Sequence, residues 1–179
     1  MFRDGKSLDI SGIDNIENKD LECLLSFPQL EVLSLNERIT DEGLKYVENL
    51  KNLRALHLDN TRITNEGLRY IQNLDKLRVL YLSDTKITDN GLKYLENLTN
   101  LEILWLNNTG ITNEGLKSLQ KLPSLGVLLL GGTSIDDNGI KYLETMKTLA
   151  EISLISTKVT PAGVNRLKKK LQACRIITQ

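Results

Sequence analysis

The chain contains one histidine and one tryptophan, and both stand between leucines, in Leu56-His57-Leu58 and Leu104-Trp105-Leu106. Asp59 follows His57 by two residues, and Tyr81 and Asp84 occur 24 residues after His57 and Asn60. In an extended segment His57 and Asp59 share one face, an arrangement able to serve acid–base chemistry or to begin a metal site. Nothing completes it. There is no second His, no nearby Cys and no carboxylate cluster to fill a coordination shell. The glycines recur at fixed intervals instead of crowding into a phosphate-binding loop. The expectation is therefore no enzyme, no metal and no cofactor, with these side chains doing their chemistry as contact groups.

The elements that must position them come from a repeat. Leu53, Leu77, Leu101, Leu125 and Leu149 stand at equivalent places 24 residues apart, and Leu supplies 35 of 179 residues. Leu53-Arg-Ala-Leu-His-Leu-Asp-Asn-Thr-Arg-Ile-Thr-Asn-Glu-Gly-Leu68 is copied by Leu77-Arg-Val-Leu-Tyr-Leu-Ser-Asp-Thr-Lys-Ile-Thr-Asp-Asn-Gly-Leu92. The unit at Leu30 is one residue shorter. The chain divides into a degenerate first unit over 1–29, repeats over 30–170 and a terminal strand over 171–179, all in one domain. Atypical ends suit a stacked array, whose terminal units face water.

Each unit has two halves. Leu-x-x-Leu-x-Leu alternates with period two, so Leu104 and Leu106 point inward while Ile103 and Trp105 point outward. Strands are expected to centre near Leu33, Leu56, Leu80, Leu104, Leu128 and Ile152, about eight in all and parallel. The second half opens a helix: Thr40, Thr64, Thr88, Thr112 and Thr160 can accept first-turn amides, and Asp41, Glu42, Asp89 and Glu114 suit the positive end of the helix dipole. Pro161 occupies the slot that tolerates proline. Glycines at 43, 67, 91, 115, 139 and 163 each cost about 1 kcal/mol of helix propensity, which implies close approach of the helix backbone to its neighbours.

Leu-x-x-Leu-x-Leu-x-x-Thr-x-Ile-Thr resembles the leucine-rich repeat over residues 5–177. The helical second half with its Thr-Asp-x-Gly-Leu segment is similar to the ribonuclease-inhibitor-like branch with 24-residue repeats, found in bacterial proteins and beside F-box modules. The resemblance implies an α/β fold, a curved right-handed solenoid with a parallel β-sheet on the concave side and helices on the convex side. It also implies a protein-interaction role. One departure stands out. Thr61, Thr85, Thr109, Thr133 and Thr157 occupy the ninth position, where the family usually carries an Asn that bridges turns. A hydroxyl ladder, helped by water, is expected to take over that bridging.

Function then rests on the outward rows. Position three reads Val32, Ala55, Val79, Ile103, Val127, Glu151, and position five reads Ser34, His57, Tyr81, Trp105, Leu129, Ser153. Adjacent strands bring Val79, Tyr81, Ile103, Trp105, Val127 and Leu129 into one patch, with Trp105 substantially exposed. Asp59 and Asn107 from position seven and Asp84 from position eight form a polar edge. An apolar aromatic centre with a polar rim has the anatomy of a protein-binding surface. Gly126, Gly131 and Gly132 are expected to leave a shallow depression beside Leu129. The sequence thus reads as a module that recruits an unknown protein partner on its concave face, as a monomer or with weak self-association. Two other readings stay open: a recognition or targeting arm of a larger enzyme or effector, for example ubiquitin-ligase-like, and a structural or designed scaffold.

Charge narrows the partners. Lys plus Arg and Asp plus Glu both total 23, which argues against a nucleic acid or an acidic membrane as the partner. The charges are unevenly spread. Residues 1–50 carry 5 basic and 11 acidic side chains, net −6, and residues 141–179 carry 8 and 2, net +6. Apolar runs are too short to span a bilayer, and the first residues lack a secretory apolar region. Cys23 and Cys174 lie at opposite ends of the array, on the order of 30 Å apart at ~4.8 Å per strand, too far for a disulfide. A reducing, cytoplasmic setting is expected.

Overall fold

The computed structural model describes residues 2, 3 and 5–178; Met1, Asp4 and Gln179, which belong to the expected terminal units, lie outside the described residues. Nine strands form one sheet whose spatial order is the chain order: β1 (Phe2–Arg3), β2 (Ser7–Asp9), β3 (Val32–Ser34), β4 (Ala55–His57), β5 (Val79–Tyr81), β6 (Ile103–Trp105), β7 (Val127–Leu129), β8 (Glu151–Ser153) and β9 (Arg175–Ile177). β2 to β9 are the eight parallel strands of the expected solenoid. β1 turns back to pair antiparallel with β2, a start that the repeat pattern does not announce. Each strand is three residues long from β2 on, and the central residues Leu33, Leu56, Leu80, Leu104, Leu128 and Ile152 fall on the predicted centres. Their side chains are completely buried.

Behind the sheet run α1 (Asp41–Val47), α2 (Asn65–Leu68), α3 (Asp89–Leu92), α4 (Leu116–Leu119), α5 (Ile140–Leu143) and α6 (Pro161–Lys170), with a 3-10 segment (Asn18–Ser26) serving the first unit. The four middle helices are single α turns, and α3 runs straight on into a 3-10 turn at Lys93–Leu95. Most of a 24-residue unit is spent on the strand and two connections, and the helix lasts only long enough to turn its leucines into the core.

A ladder of side chains locks these turns together. Asp41 accepts from the Thr64 backbone N–H at 2.8 Å and from the Thr64 hydroxyl at 2.6 Å. Asp89 treats Thr112 identically, as Asp137 does Thr160. Asn18 and Asn65 accept from the backbone of Thr40 and Thr88 but donate to their hydroxyls. That reversal decides which helices are capped. A threonine hydroxyl that donates to Asp keeps a lone pair for the amides that follow: Thr64 and Thr160 each accept a first-turn amide at 3.3 Å, and Thr112 accepts the Glu114 N–H at 3.3 Å in the turn that leads into α4. Thr40 and Thr88, whose oxygens already accept from Asn, make no cap bond. The Asp residues at 41 and 89 therefore act across repeats, in addition to lying at the dipole end foreseen for them. The recurrent glycines follow from the same ladder. A Cβ on Gly115 would overlap Asp89 Oδ1, and one on Gly67 would overlap Asp41 Oδ1. The close approach inferred from the glycine spacing is a carboxylate or carboxamide crossing the helix backbone.

The threonines of position nine behave differently from expectation. Thr61, Thr85, Thr109 and Thr133 donate at 2.6 Å to the carbonyls of Leu58, Leu82, Leu106 and Leu130, three residues back in the same unit. A hydroxyl is too short to span neighbouring turns, so it closes its own turn. The bridging falls to backbone pairs such as the Arg62 N–H to the Ile39 carbonyl at 3.0 Å and to the Asx side chains of position seven.

Candidate interaction face

Strand register puts His57 beside Tyr81, Tyr81 beside Trp105 and Trp105 beside Leu129. Strands lie ~4.8 Å apart. The rings lean together: the His57 and Tyr81 centroids are 4.4 Å apart with planes at 15°, and the Tyr81 and Trp105 centroids 3.7 Å apart with planes at 8°. Trp105 is accordingly half-buried and not substantially exposed, because one face of its indole is spent on Tyr81. Val79, Ile103 and Val127 form the parallel row on the same side, also half-buried. Seven of the predicted residues thus make one continuous patch: His57, Val79, Tyr81, Ile103, Trp105, Val127 and Leu129.

The other three, Asp59, Asp84 and Asn107, stand along its edge with their polar atoms engaged inside the molecule. Asp59 Oδ1 accepts the Ser83 N–H at 2.8 Å, and Asn107 Oδ1 accepts the Gly131 N–H at 2.8 Å. Asp84 accepts from Asn108 Nδ2 at 2.9 Å. Asp84 also takes the left-handed backbone (φ 58°) shared with Asn60 and Asn108, a conformation that Asn and Asp tolerate better than other side chains. Gly132 fills the same place in the next unit at φ 69°, where a Cβ would strike Asn108 Oδ1.

Burial sets the electrostatics. It pulls the His57 imidazole below its usual pKa, against the pull of the Asp59 and Asp9 carboxylates, and so favours the neutral ring. The Nδ1 of that ring lies 3.2 Å from Ser34 Oγ. Burial also raises Asp59, opposed by the hydrogen bond from the Ser83 backbone, and raises the Tyr81 phenol, where the Asp59 charge adds to the effect.

Two hollows flank the patch. A cleft of about 650 Å³ opens at the first strands, lined by Asp9, Asp14, Glu37, Arg38, His57 and Asp59 among others. At the far end a groove of about 420 Å³ lies between Leu129, Gly131, Gly132, Ile155 and Ile177, the depression expected beside Leu129. Ile155 was reachable from the repeat: it holds position seven of the last unit, where earlier units carry Asn, Asp, Ser or Gly. On the helix side a second 24-residue column also went unread. Tyr46, Tyr70, Tyr94 and Tyr142 pack against the core, and the Lys or Arg before each (45, 69, 93, 141) lies 4.9–5.0 Å from the ring centre. Ser118 interrupts the column and donates to Glu96 instead.

Among the described residues no group of three or more His, Cys, Asp or Glu side chains is placed to hold a metal ion, and no helix is long and apolar enough to cross a membrane. Residues 75–118 match the family of leucine-rich repeats in two copies, and residues 49–71 match a single leucine-rich repeat. Among solved structures, an internalin (inlF) from Listeria monocytogenes superposes with a TM-score of 0.76 at 23% identity, over 96% of this chain and 46% of its own. Internalin C2 from the same organism gives 0.73 at 25% identity, over 89% of this chain and 65% of its own. A search of curated proteins finds no match. Repeat matches, strand order and superposition agree: the chain carries leucine-rich repeats over residues 49–71 and 75–118 and has the α/β leucine-rich-repeat solenoid fold. It spans about half to two thirds of the length of those two internalins.

Proposed function

We propose that the outward face of β4 to β7, the concave side of the solenoid, is a docking surface for a protein partner. The observation that carries this reading is the stack His57–Tyr81–Trp105 running on to Leu129. Four large side chains stand in register on the solvent side of a sheet whose other side already buries an uninterrupted Leu lattice. The fold does not need them there. Trp and Tyr dominate binding hot spots because they offer much rigid area at small entropic loss. The 24-residue step and helical second halves support a place in the ribonuclease-inhibitor-like branch, and two free cysteines suit a reducing compartment such as the cytoplasm. A recognition arm of a longer protein is the second reading. It is favoured by the two internalins, in which a segment of this size is only part of the chain.

The test pairs two neighbouring residues. Trp105→Ala is expected to weaken a purified complex by about 2 kcal/mol or more, roughly 30-fold in Kd, while costing unfolding only about 0.5–1.5 kcal/mol for the lost stack on Tyr81. Leu106→Ala is expected to damage folding and to affect binding only through stability. A Trp105→Ala protein that stays folded and binds at full strength would remove the concave face from consideration.

A further inference from the structure

The outward face is unequal along its length. At the first strands, Asp9, Asp14, Glu37 and Asp59 line the cleft against a single guanidinium, Arg38. Elsewhere several carboxylates are answered by cations of a neighbouring repeat: Glu31 by Lys6 and Arg54, Glu102 by Arg78, Glu96 by Lys121, Glu151 by Arg175. Asp14 and Glu37 are exposed and make no side-chain hydrogen bond or ion pair among the described residues. Negative charge left unanswered around a concavity attracts a cation more strongly than the same charges on a convex surface, because the walls focus the field. The far end carries the opposite character. Leu129, Ile155 and Ile177 face a groove held open by Gly131 and Gly132, where larger side chains would collide with Asn107 and Asn108.

Resting on the docking reading above, we propose that the partner presents an extended segment with a Lys or Arg seated in the Asp14–Glu37 cleft and a bulky aliphatic side chain in the Leu129–Ile155 groove. The segment runs across the strands, over the His57–Tyr81–Trp105 stack. From β3 to β8 is five strand steps, about 24 Å, and an extended chain covers that in about seven residues at ~3.4 Å each. The charge gives the direction: the basic residue lies over the first repeats and the aliphatic one over the last. Rings between the two anchors contact backbone and small side chains, which sets the spacing without demanding a sequence there.

Trp105 is the only tryptophan, so its fluorescence reports on the stack directly. The probes are three capped synthetic peptides, Arg-(Thr-Ser)3-Leu, Glu-(Thr-Ser)3-Leu and Arg-Thr-Ser-Leu, titrated at low salt to about 1 mM, a concentration suited to weak single-segment binding. The first is expected to give a saturable change with an affinity at least about tenfold above the other two. That preference should vanish in the double variant Asp14→Asn/Glu37→Gln and fall in Leu129→Ser. Binding that Leu129→Ser removes but that ignores the sign of the peptide charge would overturn the basic partner and leave the docking face standing. Binding indifferent to all three substitutions would overturn both readings. Silence of every peptide would overturn this inference alone, since the Trp105→Ala test of the face uses the natural complex. Sedimentation that shows self-association abolished by Asp14→Asn/Glu37→Gln would place the cation on a second copy and also overturn it.

Discussion

Two rows of side chains run the length of this solenoid with the same period, and they differ in how much they vary. Along the helix starts, Asn18, Asp41, Asn65, Asp89, Asn113 and Asp137 all reach one repeat forward to the same backbone amide, and the residue below each is glycine. Along position five of the strands the residues are Ser, His, Tyr, Trp, Leu and Ser. The first row is interchangeable from unit to unit because every unit has the same orphan amide to satisfy. The second row has no common task inside the fold. Within one chain, uniformity marks what stacking requires and variation marks what is free to meet something else.

Each row can be disrupted separately. The largest loss should come from the lattice beneath both. Leu104→Ala is expected to cost about 2–5 kcal/mol in urea unfolding, as truncations of fully buried leucines do. A cost below about 0.5 kcal/mol would mean that the inward assignment is wrong.

In the uniform row, Gly115→Ala should cost about 1–3 kcal/mol, because the new methyl meets Asp89 Oδ1 and Leu92. Asp89→Ala in the same molecule should recover part of that loss. A double-mutant cycle with no coupling would separate the glycine from the ladder.

Asp89→Asn is a subtler cut and should cost about 0.5–1 kcal/mol. The Thr112 hydroxyl turns to accept from the new amide, as Thr88 does from Asn65, and its bond to the Glu114 N–H is lost. Equal stability of the two proteins would show that the direction of the hydroxyl does not matter.

The smallest effect belongs to the variable row. His57 holds its proton less readily in the folded protein than its ordinary value of 6.5, so the unfolded chain takes up that proton first as pH falls. Stability should therefore decline slightly as pH drops below about 6.5. Asp59 is raised above 3.8, so its contribution runs the other way near and above that value: the folded state binds its proton first, and acidification offsets part of the decline. Both groups are only half-buried, and solvent keeps the slopes shallow. Urea midpoints for wild type and His57→Gln between pH 7.5 and 5 check the first slope, which should flatten in the variant.

Much of this was legible before any coordinates. Period-two leucines located every central strand, because a side chain placed one residue off would face water, and that is a strong constraint. The glycine column announced a close approach. What approached was hidden, since Asp41 and Asp89 at a helix start already had a sufficient local explanation in the dipole. The aromatic row could be listed from position five, yet its stacking depends on a sideways lean that strand spacing alone does not dictate. The cleft at the first strands was the least legible, being formed by loops of three successive repeats. Of the groove, Gly131 and Gly132 announced the depression, Gly126 does not line it, and Ile155 entered the face only because position seven is apolar in one unit.

The ladder also alternates, Asn then Asp, through six rungs. Carboxylates one repeat apart would sit about 5 Å from each other along a straight file, well inside the ~10 Å over which mobile ions screen at 0.1 M salt. Skipping every second rung doubles that separation to about one screening length. An array that used Asp throughout would free a threonine hydroxyl to accept a further amide at rungs 18 and 65, but at rung 113 it would face the Asp136 carboxylate that Asn113 now donates to. It would also accumulate repulsion with each unit added, so its length would depend on salt. The alternating file can be extended in pairs of units with little electrostatic penalty in dilute buffer.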